Sequence, residues 1–141
     1  VQYEQGLEMA LDDLRKELEQ HFDGLWIPAD AEVEYGSEPL GSVPKDQIFP
    51  MVRVLVQSGL SVNTGVRGCV DRTGFISVFI YTKYDAGAGI AWRLSDKVLN
   101  IFENKRIGNI VTFETSVYDR GRLSDAGIRI FEASTSYEAK Y

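Results

Sequence analysis

Six of the seven residues in the run Phe75-Ile76-Ser77-Val78-Phe79-Ile80-Tyr81 are apolar or aromatic. At the two-residue period of a strand, Phe75, Ser77, Phe79 and Tyr81 fall on one side and Ile76, Val78 and Ile80 on the other. Such a strand has no solvated face, so it belongs at the centre of a sheet, covered by helix on one side and by something else on the other. The rest of the chain must supply that helix and the flanking strands.

Leu7, Leu11, Leu14, Leu18 and Phe22 recur at steps of four, three, four and four, one stripe of a 3.6-residue helix. Glu8, Asp12, Arg15, Lys16 and Glu19 occupy the opposite face, with Asp12 and Lys16 spaced for an i,i+4 pair. Gly24 is the expected left-handed stop. A second helix opens after Asp85-Ala86-Gly87-Ala88-Gly89, burying Ala91, Leu94, Val98, Ile101 and Phe102 while Arg93, Asp96, Lys97 and Glu103 face water. Trp92 and Leu99 lie off that stripe, where they either broaden the core face or mark a contact with another subunit.

The remaining segments read as strands and loops. Ala31–Tyr35 is a short strand with Val33 and Tyr35 on one side, and Met51–Gln57 a second with Val52, Val54 and Val56 together, ended by Ser58-Gly59. Between them Gly36–Pro50 holds Pro39, Gly41, Pro44 and Pro50, which predicts a long contact arm. A β region over Ser61–Tyr84 is expected to turn near Asp71-Arg72-Thr73-Gly74. Ile110–Tyr118 and Gly127–Tyr137 close the chain, joined by a polar hairpin loop over Asp119–Asp125. The expected fold is a single α+β domain over residues 1–141, with a mostly antiparallel sheet and two helices on one face in the order α-β-β-β-α-β-β. Phe75, Phe79, Tyr81, Phe113 and Phe131 exceed what one helix layer covers, which predicts that another copy buries the second face or an edge.

Composition narrows the function. Fifteen Lys and Arg face 21 Asp and Glu, a net charge of −6, against the basic patch that phosphate neutralisation demands of a nucleic-acid module. One cysteine, Cys69, excludes an internal disulfide and a Cys-built zinc site, and one histidine, His21, excludes motifs needing two. No apolar run approaches the ~20 residues of a membrane span, and the first residues carry no signal pattern, so a soluble intracellular domain is expected. Residues 1–50 hold twelve acids and three bases, residues 51–141 nine acids and twelve bases. Either an acidic, solvated helix leads the chain, or the molecule is bipolar and its acidic part meets the basic part of a neighbour.

Chemical motifs fail on inspection. Gly87-Ala88-Gly89-Ile90-Ala91-Trp92 opens a helix as a dinucleotide fingerprint does, but the third glycine is Trp92 and the nearby strands read as antiparallel. Cys69 has Phe75, not arginine, six positions on, and no group to orient a pairing with His21. His21 suits the negative end of the first helix. Asp12 and Asp13 point about 100° apart, and Asp13 with Glu17 reads as a solvated face. Neither enzyme activity, a metal nor a cofactor is expected. Asp119, Arg120, Arg122 and Asp125 form either a solvated tip or a dock for an acidic partner.

The leading helix with Ala10-Leu11-Asp12-Asp13-Leu14-Arg15-Lys16-Glu17-Leu18 is followed by the Pro-rich arm and Phe49-Pro50-Met51-Val52-Arg53-Val54. A strand then ends in Gly87-x-Gly89, and Arg93-Leu94-Ser95-Asp96-Lys97-Val98 and two closing strands follow. In this order the chain resembles, over nearly its whole length, the tail terminator (tail completion) proteins of long-tailed bacteriophages and related prophage domains. Members often carry an Asn-x-Pro turn after the first strand, where this chain has Gly36-Ser37-Glu38-Pro39. The resemblance implies a non-enzymatic virion subunit at the head-proximal end of the tail. It would form a hexameric ring that caps the tail tube, stops its polymerisation and presents a surface to the head connector, while DNA passes the lumen unbound. Pro39, Pro44, Lys45, Trp92, Asp119, Arg120 and Arg122 are the expected contact residues. The alternatives are a head–tail joining (neck) subunit, or a small-molecule-binding α+β domain using the aromatic sheet face.

Overall fold

The structure, a computed structural model, describes residues 2–27, 30–35, 50–63, 70–83, 88–123 and 127–140. Helix α1 (Gln2–Leu25) is followed by strands β1 (Glu32–Tyr35), β2 (Met51–Asn63) and β3 (Val70–Lys83). Helix α2 (Gly89–Phe102), a two-residue β4 (Arg106–Ile107), β5 (Ile110–Leu123) and β6 (Ile128–Lys140) complete the chain. The α+β class and the helix–strand order agree with the sequence reading, apart from the added β4. The sheet has the order β1-β2-β3-β6-β5-β4 and is antiparallel except where β1 runs parallel to β2. Parallel neighbours need a crossover of about a dozen residues or more, which accounts for the length of the 36–50 connection.

The central pair is regular. Asp71–Lys83 of β3 pairs with Lys140–Ile128 of β6 without a register shift. The two strands outside it are bulged. Gly59 and Leu60 of β2 oppose Thr73, Phe113 and Glu114 of β5 oppose Ser136, and Arg120 is an extra residue between Asp119 and Gly121. Each bulge adds local twist to the strand that carries it.

Helices cover one face only. Leu14, Leu18 and Phe22 of α1 and Ala91, Leu94, Val98, Ile101 and Phe102 of α2 pack with Val52, Val54, Ile76, Val78, Ile80, Phe131, Ala133 and Tyr137. The two apolar stripes read from sequence are thus the buried faces, as far as their side chains are described. Val33 and Tyr35 of β1 join the same cluster, and the Asp12–Lys16 pair forms at 2.9 Å.

Several boundaries differ, each for a local reason. Gly24 is not a left-handed stop, since α1 continues through it and Trp26 N–H still bonds the Phe22 carbonyl at 2.8 Å. Beyond Leu25, Trp26 turns back on the helix, stacked on Phe22 with its indole N–H on the Ala31 carbonyl at 3.0 Å. Ser58-Gly59 does not end β2, which absorbs Gly59 in its bulge. Asp71–Gly74 is strand rather than turn, because Gly74 serves the packing of Tyr137. Asp119–Leu123 is strand as well, not the start of a loop.

The β4 hairpin was not foreseen. Its two-residue turn is Gly108-Asn109, with Ile107 paired to Ile110 and Gly108 at φ +59°, the position where a tight hairpin needs glycine. The turn after α2, β5 and α1 together close the C-terminal end of that helix. Glu103 N–H bonds the Leu99 carbonyl at 2.8 Å, His21 Nε2 donates to the Ile101 carbonyl at 2.9 Å, and the Thr112 hydroxyl donates to the Phe102 carbonyl. Three carbonyls that a helix leaves without partners are satisfied from three different elements.

Candidate protein–protein interface

The second sheet face has no helix on it among the described residues, and it is divided. At one end Met51, Phe79, Tyr81, Ile128 and Ile130 form a small buried cluster with Leu55 packed against it. Phe131, counted with the surplus aromatics by sequence, belongs instead to the helix face. At the other end Phe75 is 52% exposed and Phe113 43%, separated in register by Ser136 of β6. The short serine leaves both rings uncovered. Val111 and Phe113 continue into a depression of about 490 Å3 shared with Arg106, Asn109 and Glu138.

A polar group divides the two ends. Glu132 accepts from Arg120 Nε and Nη2 at 2.9 and 2.7 Å and from Ser77 Oγ at 3.3 Å, and the Arg120 guanidinium lies 4.9 Å from the centre of the Tyr118 ring. Arg120 is therefore an internally paired strand residue, not a free tip cation. Asp119 is also engaged, accepting from Gly121 N–H at 2.8 Å and lying 3.6 Å from Arg129 Nη2. Arg122 pairs with Arg129 across the strands; its side chain lies outside the described residues, as do Pro39, Pro44, Lys45 and Cys69. Of the expected contact residues, Trp92, Asp119 and Arg120 have described side chains, the first on α2 and the other two on β5.

The helix layer carries its own apolar surface. Trp92 is 49% exposed, with its ring edge-on to Phe131 at 4.8 Å, so it both extends the core and reaches solvent. Leu25 and Ile27, which the sequence reading passed over, are more than half exposed. With Trp26, Asp30, Lys97, Asn100 and Ile101 they line a cavity of about 280 Å3 beside the Lys97–Asp30 ion pair. The signal for Leu25 and Ile27 was present as two large apolar residues beyond the Leu/Phe stripe.

Arg53, buried on the second face, sits 5.5 Å from the Tyr81 ring centre and 3.6 Å from Glu34 of the paired strand. Burial pushes the Tyr81 phenol above its ordinary range. Burial, and then the hydrogen bond to Asp23 at 3.1 Å, do the same for Tyr35. On the exposed face of α1, Arg15 and Lys16 hold the Asp12 carboxyl below its usual value through hydrogen bonds. Among the described residues no three His, Cys, Asp or Glu are grouped to hold a metal ion, and no helix is long and apolar enough to cross a membrane.

Neither a protein-family model nor a curated protein matches the chain. A solved structure known by a sequence label alone is similar in fold, with a TM-score of 0.55 at 10% identity over 89% of this chain and 95% of that one. Likeness at that identity speaks for the fold alone.

Proposed function

We propose that this chain is a structural assembly subunit with the role of a phage tail terminator: a non-enzymatic protein that closes into a ring, caps the tail tube and offers a surface to the head connector. The reading rests on the sequence resemblance, and one observation carries it physically. The molecule exposes large apolar side chains on both layers: Leu25 and Ile27, and apart from them Trp92, on the helix side; Phe75, Val111 and Phe113 on the sheet face that carries no helix among the described residues, with Tyr118 beside the Arg120–Glu132 pair. Exposed apolar patches of this kind mark interaction sites. Two different patches on one subunit are what a heterologous, ring-closing contact requires, whereas a two-fold dimer needs only one. The net charge of −6 fits a ring through which DNA slides, since a basic lumen would bind phosphates by counterion release.

Light scattering on the protein alone and with tail-tube protein tests this. The expected result is a ring-sized species, formed at high concentration or on the tube. Monomer under every condition refutes it. Separate binding assays against tube protein and connector protein distinguish a terminator, which binds the tube first, from a neck subunit, which binds the connector first.

A further inference from the structure

The terminal strands of the sheet are stubs. β1 covers β2 only at Met51–Val54, and β4 covers β5 only at Ile110–Val111, so among the described residues β2 beyond Val54 and most of β5 are the real edges. The registers place these free stretches at opposite corners. Leu55–Asn63 is level with the β4 end of the sheet, because Val62 stands in the row of Asp71 and Lys140 near Ile110. Ser116–Asp119 is level with the β1 end, in the row of Ala133, Val78 and Val54.

Proteins that keep edges unpaired defend them with charge, proline or bulges. Leu55-Val56-Gln57-Ser58-Gly59-Leu60-Ser61-Val62-Asn63 has no charged residue and no proline, and a single bulge. The β5 bulges lie at either side of Thr115-Ser116-Val117-Tyr118, which is also uncharged and rich in strand-forming types. The first bulge is itself stoppered from within: Asn104 N–H bonds the Phe113 carbonyl at 3.0 Å and Glu103 Oε2 accepts from Thr115 N–H at 2.9 Å. Thr115 N–H is thereby occupied, and from Ser116 to Asp119 the outer side of β5 has no partner strand among the described residues.

We propose that neighbouring subunits join sheet to sheet, the Leu55–Asn63 edge of one copy pairing with the Thr115–Asp119 edge of the next. The main chain supplies the hydrogen bonds, and the occupant is an extended strand of a second copy. Because the two edges differ and lie at opposite corners, each copy uses one and leaves the other for its next neighbour, as a closed ring needs. The aromatics fit this contact. Exposed Tyr118 lies on the β5 edge and exposed Phe75 stands one strand in from Gln57 of the β2 edge, so each edge brings an aromatic ring to the joint. The inference rests on the ring reading and names its contact.

Hydrogen–deuterium exchange with peptide resolution, at low and high protein concentration and on tube-bound protein, tests it. Amides in 55–63 and 115–119 are expected to slow about tenfold or more on association. Gln57→Lys and Ser116→Lys, each adding an edge charge at an exposed position, are expected to weaken association about tenfold or more with the monomer still folded by circular dichroism. Asp13→Lys, on the exposed face of α1, leaves association unchanged. If rings form while both stretches exchange as in the monomer, or if both are already protected in the monomer, edge pairing is wrong and the ring reading survives. If no ring forms under any condition, both fall.

Discussion

The ring of Tyr137 lies across Gly74, its register partner in β3, and its hydroxyl donates to the Gln57 carbonyl at 3.2 Å. A Cβ at residue 74 would stand 2.1 Å from that carbonyl oxygen and 2.5 Å from the Tyr137 hydroxyl. The bare backbone is what admits the phenol, a cross-strand arrangement in which an aromatic shields a strand glycine.

Gly74→Ala is therefore expected to be the more harmful of two small changes at this crossing, costing about 2–3 kcal/mol by overpacking. Tyr137→Phe, which removes only the hydroxyl, costs about 1 kcal/mol. Urea denaturation of both variants checks the ranking, and equal losses would mean that the close approach is not what matters.

His21 and Thr112 hold the end of α2 from two sides, and each leaves a helix carbonyl without its side-chain donor when cut back. His21→Ala and Thr112→Val are each expected to lower stability by about 1–3 kcal/mol. Amides of the last turn of α2 and of the β4 hairpin should exchange faster in both variants, while those of central β3 do not.

Arg120→Ala should cost under about 1 kcal/mol, since that side chain is half exposed and exposed ion pairs contribute little. Arg120→Glu should cost clearly more, because it sets a second carboxylate against the largely buried Glu132. Thermal unfolding at low and high salt separates the two, the charge-reversed variant recovering partly as salt rises.

Alkali should destabilise the fold through its phenols. Tyr35 and Tyr81 are both raised by burial, so the folded chain keeps its protons at a pH where the unfolded chain loses them. Their contribution is complete below about 10, the ordinary phenol value, and declines as pH climbs from there through the folded values. Melting temperature should fall above about pH 10, and less steeply for Tyr35→Phe than for the parent chain. An identical slope in the two proteins would remove Tyr35 from this account.

Phe75→Ser and Phe113→Ser remove rings that are about half exposed in the monomer. Monomer stability should fall by about 1 kcal/mol in each, with the fold retained. Association, measured by sedimentation, should weaken in both. Full association with unchanged affinity would mean that the bare face is not an interface.

The helices and the strand β3 were legible in the sequence because their information is periodic. Leu14, Leu18 and Phe22 lie in one stripe whatever they pack against, and Ile76, Val78 and Ile80 alternate whatever their neighbours. The errors fell where one local signal serves two purposes. Gly74 looked like a turn residue and Gly24 like a helix stop, yet the first makes room for a ring 63 residues further along the chain and the second is simply passed through. The polar run from Asp119 reads as a loop, but Arg120 and Asp119 pair within the sheet with Glu132 and Arg129.

The sequence by itself determined which residues must be hidden: apolar spacing dictates helix or strand and the face that leaves water, since the hydrophobic effect acts on each element wherever it docks. Only the tertiary structure decided which strands become edges, that β6 enters between β3 and β5, and that Phe75 and Phe113 stay uncovered while Phe79 and Tyr81 do not. Those outcomes depend on register between residues distant along the chain, and no local periodicity encodes a register.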